Sequence, residues 1–145
     1  MQAKEYLKTI RSIKHRLAVA DKEIEEAKKN IYALQCVNYQ KDKVDGGEHV
    51  DLSNKIAQAE NVAKKIEAYR TRLIEFREEA RERINALPNM DIQSFLIDYC
   101  IIVKQPWEIR HENVLSRSGF NKRLDRAVNC FQEVYGDWLA DIELF

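Results

Sequence analysis

A chain of 145 residues is long enough for one ordinary domain, or for a small helical unit with an extended arm, and too short for two ordinary domains. Four glycines and two prolines, beside one-third charged and 45% hydrophobic residues, exclude collagen-like, Pro-rich and wholly disordered classes. The 24 basic residues equal the 24 acidic ones, so any nucleic-acid site has to be a local patch rather than a property of the whole charge.

From residue 10 to residue 34 the apolar side chains follow heptad spacing. Ile10, Leu17, Ile24 and Ile31 take one position, and Ile13, Ala20, Ala27 and Leu34 the other, with charged helix formers between them. A second run covers residues 56–87, with Ala59, Ile66, Leu73, Ala80 and Leu87 seven apart and Val62, Tyr69 and Phe76 assigned to the partner position. Gly46-Gly47 in a loop near 42–52 lets the two helices fold back as an antiparallel hairpin, with Ser53 favoured over Asp51 as the cap of the second. Pro88 closes this arm, because a proline disfavours helical geometry at the residue before it and has no amide to continue a helix.

After residue 88 aromatic residues become denser and the segments shorter. Helices are expected near 91–102, 106–114 and 120–138, with Pro106 in a first helical turn and a break at 116–119. The expected fold is therefore all-α: a long coiled-coil-like antiparallel hairpin over 1–88, then a compact helix-turn-helix-like bundle over 89–145. Trp107, Phe120, Leu124, Val128 and Phe131 are assigned to its core.

In a helix-turn-helix the second helix presents its early exposed residues to a DNA major groove. Arg110, Arg117 and Arg126 are candidate phosphate contacts here, and Asn121, Lys122 and Arg123 candidate base contacts, because Arg and Lys suit guanine edges and Asn suits adenine. Regulators of this kind read paired half-sites, so a homodimer is expected. Over residues 91–145, however, six bases face nine acids, which argues against nonspecific polyanion binding.

The chain resembles the phage late-transcription regulators related to ArpU and RinA, encoded near the late genes of phages and prophages of Gram-positive bacteria. Glu5-Tyr6-Leu7, Ile10, Ile13, Ile24 and Leu34 match their opening run, and Asp42-Lys43-Val44-Asp45-Gly46-Gly47 matches their loop signature. Leu96, Tyr99, Trp107, Ile109, Ser116, Phe120, Lys122, Ala127 and Val128 match their sigma-factor-like helix-turn-helix. The resemblance implies a regulator that binds double-stranded DNA near a phage promoter. The chain departs from the pattern in having no glycine between Tyr99 and Trp107, and in carrying Arg110 where a small residue is usual. That departure supports a second reading, an inhibitor of a host protein such as RNA polymerase or a CRISPR defence nuclease, with Asp137, Asp141 and Glu143 on its binding surface.

Other chemistry has little support in the sequence. His15, His49 and His111 have no metal-site spacing with Cys36, Cys100 or Cys130, and no phosphate loop, dinucleotide fingerprint or nucleophile elbow occurs. Neither catalysis, a metal nor another cofactor is expected. Three scattered cysteines and the lack of a signal-like or membrane-spanning apolar run lead to the expectation of a cytoplasmic protein in its bacterial host.

Overall fold

A computed structural model describes residues 1–44 and 49–143; the expected Gly46-Gly47 turn lies outside them. The protein is all-α. Helices α1 (Ala3–Val44) and α2 (His49–Asn85) form a long hairpin, and α3 (Met90–Leu96), α4 (Pro106–Asn113) and α5 (Arg117–Asp141) form a smaller cluster. A six-residue π-helical segment, Ile97–Ile102, continues directly from α3. No described helix is long and apolar enough to cross a membrane.

Packing divides the chain into two compact units. One combines Met1–His15 with the chain from Glu75 onward, and the other is Arg16–Ile74. Both long helices therefore contribute to both units.

The Arg16–Ile74 unit is a two-helix seam. On α1 the expected heptad residues Leu17, Ala20, Ile24, Ala27, Ile31 and Leu34 are all buried or half-buried. On α2 the expected position of Ala59, Ile66 and Leu73 is also inward, and of its expected partners Tyr69 and Phe76 are half-buried whereas Val62 is not. Val62 is 53% exposed, while Ala63 is buried. Beside Tyr69 and Phe76, Arg70 and Arg77 are half-buried as well, so arginines border the seam at positions that a hydrophobic pattern cannot register. Arg70 meets Asp21 at 2.5 Å, and Arg16 donates to the Tyr69 hydroxyl at 3.2 Å. Asp51 and Ser53 both lie inside α2, so neither is its N-cap; Asp51 instead pairs with Lys55 one turn on.

The other unit has the denser core. Tyr6 of α1 stacks on Phe131 at 5.4 Å and meets Trp138 edge-on at 5.3 Å, while Phe95, Tyr99 and Phe120 form a second aromatic group. Ile10, Ile13, Ala80, Ile84, Leu96, Ile101, Ile109 and Leu139 fill the remaining interior. At the start of α3, Asn89 Oδ1 accepts from the amides of Asp91 and Ile92, closing the turn that follows Pro88.

The π segment leaves carbonyl groups unmatched at its C-terminal end, and three cations from the long helices satisfy them. Arg11 donates to the carbonyls of Tyr99 and Lys104 while its guanidinium lies 4.1 Å from the Tyr99 ring centroid. Lys14 donates to the Ile102 carbonyl at 3.0 Å and Arg77 to that of Ile101 at 2.8 Å. The chain then reverses through Val103, held in the left-handed region at φ 64°.

Candidate nucleic-acid interface

Helix α4 starts at Pro106, whose fixed φ suits a first helical position, and Glu108 accepts from the Gln105 amide at 3.4 Å. It ends at Val114 in the left-handed region, with the amides of Val114 and Leu115 returning to the carbonyls of His111 and Arg110. Three residues, 114–116, separate the two helices. The expected break at 116–119 is therefore shifted: Ser116 is the N-cap of α5, its hydroxyl accepting from the Gly119 amide at 3.0 Å, and Gly119 is already helical.

Ile109 anchors α4 in the core, and Phe120, Ala127 and Phe131 anchor α5, with Leu124 and Val128 half-buried beside them. Trp107, assigned by its sequence to the same core, is instead 65% exposed. Only the helical spacing of its neighbours signals this position. Trp107, Arg110, His111 and Val114 recur at i, i+3, i+4 and i+7, opposite the buried Ile109, and with Leu115 and Ser116 they line an open groove beside the start of α5. Val114 is 92% exposed.

The candidate DNA-contacting residues fall into two places. Arg110 belongs to the groove on α4; it is half-buried, and its Nε is buried without a hydrogen-bond partner. Arg117, Asn121, Lys122, Arg123 and Arg126 are all exposed on the first three turns of α5. At about 100° per residue, Arg117 and Asn121 lie at one side of the exposed arc, Arg123 at the other, and Lys122 and Arg126 between them. Asp125 lies on the same arc and weakens its positive potential locally. Among the described residues, no carboxylate lies within 4 Å of the cations of Arg117, Lys122, Arg123 or Arg126. Other surface cations do pair: Arg81 with Glu78, Arg83 with Glu79, and Lys104 with both Asp98 and Glu112. The hydrogen bond from Lys104 to Glu112, at 2.8 Å, is the main cause of its raised pKa.

Asp137, Asp141 and Glu143 are exposed near the other end of α5. His15 and His111 are exposed as well, and no group of three or more metal-ligating side chains occurs among the described residues. Cys100 is a buried residue of the π segment, and burial pushes its thiol up to about 12, partly opposed by Arg11. Such a thiol is a packing group, not a nucleophile.

Residues 33–132 match the model of a family described as a protein of unknown function, DUF1492. The match covers more than half of the chain, which therefore belongs to that family. No curated protein and no solved structure matches the chain.

Proposed function

We propose that this DUF1492 member is a phage-encoded transcription regulator that binds double-stranded DNA through α5. One observation carries the reading: a three-residue turn delivers α5 from α4 with five polar or basic residues exposed on its first three turns, the cations among them unpaired within the described chain. The resemblance to late-transcription regulators supports it, and so does the absence of acidic residues from the first turn of α5, where they would repel phosphate.

Asn121, Lys122 and Arg123 are the base-contacting set, and Arg110, Arg117 and Arg126 hold flanking phosphates. Such a protein works in the host cytoplasm. DNA fragments from the protein's own phage or prophage locus, titrated at several salt concentrations, test the reading. Selective binding to one fragment is expected, with selectivity reduced by about 1–3 kcal/mol when Lys122 or Arg123 is replaced by alanine. A folded protein that binds no fragment at low salt would overturn it and redirect the search to host proteins through Asp137, Asp141 and Glu143.

A further inference from the structure

Helix α5 carries its charges in an order that is unfavourable for an isolated helix. Its first turn holds no acid and its last turn no base; its N-terminal half carries Arg117, Lys122, Arg123 and Arg126 against the single acid Asp125, and its C-terminal half only the acids Glu133, Asp137 and Asp141. Cations near a helix N-terminus and anions near its C-terminus oppose the macrodipole. Within each half the like charges Lys122 and Arg126, and Glu133 and Asp137, are also four residues apart, the spacing at which they repel. On α2, by contrast, Glu78 and Arg81, and Glu79 and Arg83, alternate in sign and pair locally.

Lys122, Arg126, Asn129, Glu133 and Asp137 follow one another by four, three, four and four residues, so they form a single face. All five are exposed. Part of that face borders a groove completed by Asn89, Ile92, Asp125 and Cys130. The charges are also symmetric about its middle. Lys122 lies as far before the midpoint between Asn129 and Cys130 as Asp137 lies after it, and Arg126 as far before as Glu133 after. The basic and acidic halves cannot meet within one chain, because an unbroken helix holds them apart.

We infer that this face of α5 is a self-recognition surface, on which a second copy of the chain lies antiparallel about a two-fold axis between Asn129 and Cys130. Lys122 then meets the partner's Asp137 and Arg126 meets the partner's Glu133, each pair formed twice, with small neutral residues at the crossing. The antiparallel arrangement also sets each helix dipole against its opposite. The pairing covers Lys122 and Arg126, so the dimer and a DNA complex using those cations exclude one another. The inference rests on the charge order of α5 and stands or falls separately from the DNA reading.

The test is light scattering and sedimentation of the full chain without DNA, at low and physiological salt. One variant, Lys122→Glu with Arg126→Glu, makes the face wholly acidic; the other, Glu133→Lys with Asp137→Lys, makes it wholly basic. Wild type is expected to dimerise, more strongly at low salt. Each variant alone should lose at least ~10-fold in dimer affinity while keeping its helical circular dichroism, and an equimolar mixture should dimerise again because every contact is then complementary. A wild type that stays monomeric at low salt, a dimer indifferent to both variants, or a mixture that fails to reassociate would each overturn the inference.

Discussion

Cys100 and Arg77 decide different parts of the same packing problem. The buried Cys100 thiol titrates near 12 instead of 9.0, and burial also raises the Tyr6 phenol. A group whose pKa is raised by folding contributes stability that is complete below its unfolded value and lost as pH rises toward its folded one. Stability against urea should therefore be level at neutral pH and fall between about pH 9 and 12, and Cys100→Ala should make that fall shallower. An unchanged slope would contradict this account of Cys100. The exposed Cys36 should react with a thiol reagent in the native protein, while Cys100 reacts only on unfolding. Arg77 works through one hydrogen bond, to the Ile101 carbonyl. Its replacement by methionine keeps the stem and removes the donor, and should cost about 1–2 kcal/mol in equilibrium unfolding.

At the scale of elements, the two long helices and the turn after Pro88 were legible because heptad spacing and proline geometry are local signals. The share of Ala63, Arg70 and Arg77 in the α2 seam was not, since a hydrophobic pattern passes over arginines and settles on the apolar but outward Val62 in place of Ala63. Trp107 was misplaced for a related reason: a large aromatic is usually buried, but its place on α4 is set by Ile109, which takes the core. The π segment has no sequence signal at all, because it depends on cations from distant parts of the chain. Two substitutions test the corrected elements. Arg70→Leu should raise the melting temperature by a few degrees, because an exposed ion pair contributes at most ~1 kcal/mol and a leucine there extends the apolar seam. Ser116→Ala removes the N-cap of α5 and should destabilise the protein by about 1 kcal/mol.

For the molecule as a whole, the C-terminal helices do not form a unit by themselves: Tyr6, Ile10 and Ile13 of α1 and Ala80 and Ile84 of α2 belong to the same compact body. A boundary at residue 88 follows the chain's turn, whereas packing follows the base of the hairpin. The basic start of α5 was legible as a list of residues, and the fold adds that Arg110 stands apart from them on α4. The most direct measurement is an anisotropy titration of a labelled promoter-proximal fragment with the wild-type chain at nanomolar concentration, repeated from low to physiological salt and with Lys122→Ala plus Arg123→Ala. Three phosphate contacts predict a log–log salt slope of about −2.7 per chain, with preference for one fragment that the double variant loses. Equal, weak binding to every fragment by both proteins, or no binding at low salt, would contradict DNA recognition by α5.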